Sequence, residues 1–267
     1  EGASILDTLL SMPDVSRWPR ARAKVLQAAG DVAQWQGNFD RAQDCFSTAL
    51  QIYRELDDQS EVVATLRALG SVAIDLGDLD GAERLLSEVL ALAPQSGDDW
   101  DSAAAANLLA IIHFSQGRLG AAITLGERAV VAFQALGDVG YASYAQISLA
   151  RFALAAGDMA RVCVAVQDAA SQIPADGADV LACSSLEVAA GMARRQQQWR
   201  QVARFLSAAE ALRERLGVPR WFAFQPDFEH TLAAARQALG GERFADASAL
   251  QSGDLDDVIS EMLVMFA

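Results

Sequence analysis

The chain has 267 residues, 52% of them hydrophobic, and a formal net charge of −14. It is long enough to bury a large core, and with no apolar run of about 20 residues it carries no membrane span. Lys24 is the only lysine, and so acidic a surface opposes nucleic acid, whose phosphates are held by neutralising basic groups. Three cysteines, Cys45, Cys163 and Cys183, form no C-x-x-C pair and read as small core residues in a reducing compartment.

In chain order, a short helix is expected over Glu1 to Leu10, with Ile5, Leu6, Leu9 and Leu10 on one face and Pro13 beyond it. It reads as half of a repeat whose partner lies upstream, and the opening Glu1-Gly2 suggests an excised fragment. From there the sequence returns on itself every forty residues. Gly37, Gly77, Gly117 and Gly157 share one column, with Gln197 in the fifth row. Before that turn stand Gly30, Gly70, Ala110, Ala150 and Ala190, and after it Phe39, Leu79, Leu119, Met159 and Trp199. Small residues also recur as Ala42, Ala82 and Ala122, then Ala49, Ala129, Ala169 and Ala209.

This is a pair of antiparallel helices per repeat. Small residues let the two backbones approach, and the column glycine ends the first helix in a left-handed turn. The five repeats run from Arg17 to Leu56, Gln59 to Pro94, Asp98 to Leu136, Val139 to Ile173 with Pro174 as its stop, and Asp176 to Leu216. Pro94 is expected just past the end of its helix. After Leu216 the register stops: Arg220 to Pro226 is expected as a packed loop, and Phe228 to Leu239, Glu242 to Leu250 and Leu255 to Phe266 as helices, the last entered through Ser252-Gly253-Asp254. The expected domains are residues 1–16 completing an upstream repeat, 17–216 the five repeats and 217–267 a helical cap over the last apolar face.

The alternation of small residue, turn glycine, Ala42 and Ala49, with an aromatic residue or leucine at Phe46, Leu86 and Leu206, resembles the tetratricopeptide repeat. That family's period is about 34 residues, so each repeat here has about six more, expected in an extended second helix. The resemblance implies an all-α, right-handed superhelix of five helix pairs with a C-terminal cap. The tail Arg236-x-x-Leu239-Gly240-x-x-Arg243-Phe244-x-x-Ala247, with Gly253 and Leu255, together with Leu6, Leu9 and Leu10 at the start, is similar to the ends of the arrays in bacterial signal-transduction ATPases of the MalT-like and AfsR-like class. That likeness implies a cytoplasmic transcriptional regulator whose ATPase and output domains lie upstream, with the array as its sensor. A self-contained scaffold for multiprotein assembly is the other reading.

Chemical motifs are scarce. Lys24 lies in Arg22-Ala23-Lys24-Val25-Leu26 without the glycine-rich turn of a phosphate loop. Gly137-Asp138-Val139-Gly140 lacks the strand of a dinucleotide site and reads as an inter-repeat loop. His113 and His230, the only histidines, have no partner spacing for a metal and read as packed side chains. No enzyme, cofactor or metal site is expected. Carboxylates beside turns, Asp40, Asp78, Asp80 and Asp158, read as caps.

What remains is the face of the first helices, which lines the concave groove in arrays of this type. The columns place Gln27, Arg67 and Asn107, Asp31, Ser71, Ile111 and Arg151, Trp35, Ile147, Phe114 and Arg194 there, with an apolar middle at Ile111, Phe114, Ile147 and Leu154. Such a face suits a peptide, a protein partner or a small inducer. The arginines from Arg194 to Arg220 are expected to meet the acidic tail at Asp254, Asp256, Asp257 and Glu261, an acidic partner, or solvent.

Overall fold

The computed structural model describes residues 2–12, 17–170, 180–218, 220, 222–250 and 254–266. The described residues are all-helical, in the repeated packing of a tetratricopeptide-like α-solenoid. In order they form α1 (Gly2–Leu10), α2 (Pro19–Trp35), α3 (Phe39–Glu55), α4 (Gln59–Asp75), α5 (Leu79–Ser96), α6 (Asp99–Ser115), α7 (Leu119–Ala135), α8 (Val139–Ala156), α9 (Met159–Ala170), α10 (Val180–Arg195), α11 (Trp199–Leu216), a 3-10 turn at Phe222–Phe224, α12 (Gln225–Leu239), α13 (Gly241–Ser248) and α14 (Asp254–Phe266). The stop expected at Pro174 with the repeat start at Asp176, Pro13 and the entry at Ser252-Gly253 lie outside the described residues.

A local device generates this regularity. Across the repeats, backbone φ turns positive at Gly37, Asp57, Gly77, Gly97, Gly117, Gly137, Gly157, Gln197 and Gly217, each twenty residues or a multiple of twenty from the next, with Gly240 apart from them in the cap. Among the described residues, the turns within repeats and those between repeats therefore both use one left-handed residue. After it, the amide of residue 38 donates to the Ala33 carbonyl at 2.8 Å and that of Asp78 to Ala73 at 2.9 Å, which ties the turn to the helix before it. The next helix is then capped by side chains: Asp78 accepts from the Gly81 amide at 2.9 Å, Asp138 from Tyr141 at 3.0 Å and Asp158 from Arg161 at 3.1 Å.

Three expectations change. The helices α2, α3 and α4 are 17 residues each and α5 is 18, so the surplus over the shorter period is shared and the second helix is not selectively extended. Pro94 lies inside α5, which runs on to Ser96 and stops at the left-handed Gly97; near the helix end the lost amide donor is tolerated. The segment expected as a loop to Pro226 is a 3-10 turn followed by α12, with Pro226 in its first turn, where proline's fixed φ suits a helix start.

Two compact units make up the chain, residues 1–112 with 221–223, and residues 113–220 with 224–267. In the first, α1 packs on α2, α2 on α3, α3 on α4 and α4 on α5, around Phe46, Tyr53, Leu66, Ile74 and Leu86. Gly30 faces the Phe46 ring and Gly70 faces Leu86, so closely that a Cβ on either glycine would stand 2.7 Å from the facing side chain. In the second, α7 packs on α8, α8 on α9 and α10, and α10 on α11. Its core holds Val166, Leu186, Phe205 and Leu206 together with Phe228 of α12 and Val258, Met262 and Phe266 of α14. No helix among the described residues is long and apolar enough to cross a membrane.

Candidate binding face

Within the first unit the face of α2 and α4 is polar and tied together by amide side chains. The Tyr53 hydroxyl donates to Gln27 Oε1 at 2.6 Å, and Gln27 Nε2 donates to Thr65 Oγ1 at 3.0 Å. Gln27 thus links α2, α3 and α4 and is half-buried. Gln34 Nε2 donates to Ser71 Oγ at 2.9 Å and to Asp75 Oδ2 at 3.0 Å. Burial pushes the Asp75 carboxyl up to about 6, against the Gln34 hydrogen bond, which pulls it down. Arg67 pairs with Asp101 through Nε and lays its guanidinium over the Trp100 ring, 4.9 Å from the centroid. Burial raises the Asp101 carboxyl, and Arg67 opposes that rise. Asp31 is exposed and, one turn on, Trp35 is 64% exposed, so the end of α2 presents an indole to solvent.

The corresponding face of the second unit is not a groove. Arg151 of α8 is 2% exposed. Its Nη2 donates to Glu187 Oε2 at 2.9 Å, its Nη1 lies 3.7 Å from Asp227 Oδ2, and the guanidinium stacks 4.3 Å from the centre of the Phe224 ring. The other oxygen of Glu187 accepts from Arg213 Nε at 3.1 Å and from Arg220 Nε at 2.9 Å. Arg220 covers the Phe228 ring at 3.5 Å and also pairs with Glu210. Burial alone would raise the Glu187 carboxyl; the charges of Arg151, Arg213 and Arg220 override it and hold it below the ordinary carboxylate value. Half-buried Phe114 sits 5.2 Å from the Phe152 ring and 6.0 Å from Phe224. Arg194 is half-buried, with Nη1 3.5 Å from His230 Nε2.

The eleven groove positions therefore divide. Asp31 and Trp35 are exposed, while Gln27, Arg67, Ser71, Phe114 and Arg194 are half-buried. Asn107, Ile111, Ile147 and Arg151 are buried, as is Leu154, so the apolar middle expected at Ile111, Ile147 and Leu154 is core and offers no groove surface. The physical reason for Arg151 is the return of the chain after α11, which lays Phe224 and Asp227 against it. The arginine-rich stretch is likewise redistributed: Arg204 reaches Glu261 of the tail at 3.4 Å, but Arg213 and Arg220 go to Glu187. A signal for this was present in the sequence. Glu187 places a lone carboxylate in the column that carries Gln27, Arg67, Asn107 and Ile147, just ahead of a dense run of arginines.

The tetratricopeptide-repeat family matches twice, over residues 21–95 and 67–136. These matches support a tetratricopeptide-repeat array over the residues they cover. The crystal structure of BtubC (BKLC) from P. vanneervenii is similar at 17% identity with a TM-score of 0.53, over 94% of this chain and 90% of that one, a likeness of fold. No curated protein matches the sequence. The first matched segment, residues 21–95, spans nearly all of α2 to α5, the helices whose polar face carries Asp31, Trp35, Arg67 and Ser71.

Proposed function

We propose that this chain is the non-catalytic interaction arm of a larger cytoplasmic regulator, and that it binds a peptide or protein partner on the face of α2 and α4 around Gln27, Asp31, Trp35, Arg67 and Ser71. What carries the reading is that the tetratricopeptide match falls on a polar face with a 64% exposed tryptophan at its edge. An aromatic body beside hydrogen-bonding groups is the composition that anchors partners. The finer role, a sensor that moves upstream ATPase and output domains in response to a partner or a small inducer, is supported by the resemblance of the two ends of the chain.

The test uses the native protein in its source cells, with Trp35→Ala and Ser71→Arg together, two changes that leave the Arg67–Asp101 pair intact. Co-purified partners are compared with those of the unaltered protein. The expected result is loss of at least one partner with helicity unchanged, and an identical partner set would refute the assignment. The mass of the native polypeptide then separates the two uses: far above 28.4 kDa for a regulator, near it for a self-contained adaptor.

A further inference from the structure

The segment that covers the second unit's face has the make-up of a bound ligand. A cap over a terminal helix pair needs only apolar side chains, and replacing a buried ion pair by well-packed hydrophobic groups is often neutral or stabilising. Here the contact is instead built from charge and aromatic rings. With Phe224 to Phe228 removed, the face offers Arg151, Arg213 and Arg220 against Glu187 and Glu210, a surplus of one positive charge, beside the Phe114 and Phe152 rings. The segment supplies what that surface lacks: Phe224 for the Arg151 guanidinium, Asp227 three residues on for Arg151 Nη1, and Phe228 under Arg220.

The fit is also incomplete. Asp227 stands at 3.7 Å, beyond hydrogen-bond range, with 37% of its side chain exposed. Arg151 Nε is buried and has no hydrogen-bond partner among the described residues, a donor that the resident segment leaves unsatisfied. A ligand with the same aromatic residue and one better-placed acceptor would make every contact the resident makes and one more.

We propose that the face formed by α8 and α10 is a docking site for a partner helix that starts with an aromatic residue followed three positions later by a carboxylate, and that Phe224 to Phe228 is the chain's own exchangeable occupant of it. The site shares no residue with the face of α2 and α4, so the two assignments fail independently. The occupant, being tethered, acts at an effective concentration in the millimolar range and masks the site until a competitor displaces it.

The probe is a fluorescein-labelled synthetic peptide of residues 222–239, titrated by anisotropy against the full chain and against the full chain carrying Phe224→Ala with Asp227→Ala. The altered chain is expected to bind the peptide at least tenfold more tightly than the unaltered one, and a peptide with the same two alanines is expected not to bind. Equal affinity of the peptide for both chains overturns the proposal. So does a wild-type dimer formed by exchange of α12, which would make the occupant a second copy of this chain. Should the altered chain lose its helicity, hydrogen exchange of the wild type decides. The amides of α12 are expected to exchange at least tenfold faster than those of α10 and α11, and exchange at the same rate identifies a fixed cap and ends the proposal.

Discussion

Replacing Asp75 by asparagine should stabilise the first unit at neutral pH and leave it unchanged in acid. The carboxyl is half-buried on α4, with one hydrogen bond from Gln34 at 3.0 Å, and its pKa rises from 3.8 to about 6. Burial disfavours the charged form, and a single neutral donor does not compensate. At about 1.4 kcal/mol per tenfold in proton affinity, ionisation in the folded chain costs up to about 3 kcal/mol. Partial contact with water reduces this to about 1–2 kcal/mol. Between about pH 4 and pH 6 the folded chain keeps a proton that the unfolded chain has released, so the stability contributed by Asp75 falls as pH rises through that window and is level above it. Asparagine keeps an oxygen to accept from Gln34 and has no charge to bury. Thermal unfolding followed by circular dichroism at pH 4, 5, 6, 7 and 8 should then show Asp75→Asn melting with the wild type at pH 4 and about 2–6 °C above it at pH 7. Titrations of all other groups are common to both proteins and cancel in the difference. A melting difference that does not change between pH 4 and pH 7 would refute the reasoning, because it would mean that Asp75 does not change its protonation there.

Other substitutions probe packing, turn strain and the buried charges. Gly30→Ala drives a methyl to 2.7 Å from the Phe46 ring; overpacking costs about 1–3 kcal/mol and the better helix propensity of alanine offsets about 1 kcal/mol, so a net loss of up to about 2 kcal/mol is expected in urea denaturation. Gln197 holds φ at +59° on an exposed turn, a conformation that costs a non-glycine residue about 1–3 kcal/mol; after the entropy lost by glycine, Gln197→Gly should gain about 1 kcal/mol, read as a higher melting temperature. Glu187→Gln leaves Arg151, Arg213 and Arg220 without their shared carboxylate and should destabilise by about 3–5 kcal/mol, with earlier loss of helicity on denaturation at neutral pH; no loss would show that the arginines reach solvent.

The local architecture was legible because it is written in short-range terms. A turn needs a residue that tolerates positive φ, a helix start needs an oxygen beside it, and a close helix crossing needs a small side chain, and each requirement recurs at fixed spacing. Gly37, Asp78 and the Gly30–Phe46 contact are of this kind. Gln197 shows the limit of reading turns by residue type: the chain adopts the left-handed turn there without glycine, since the helices on either side already impose it. The equal lengths of the paired helices were also legible: a second column, Asp57, Gly97, Gly137, Gly177 and Gly217, holds glycine in four rows of five, as the Gly37 column does, and lies twenty residues from it.

The surface could not be read in the same way. Column position places Trp35 and Arg151 alike on the first-helix face, yet one is 64% exposed and the other 2%. The difference comes from Phe224, Asp227 and Arg220, which lie beyond the last repeat and reach α8 and α10 from 33 to 76 positions away. Sequence alone determined the repeat, its turns and the helical class, all consequences of backbone geometry and side-chain size within a few residues. Tertiary structure decided which part of the repeated face stays exposed, because covering a surface depends on where a distant segment returns, and no periodic pattern encodes that return.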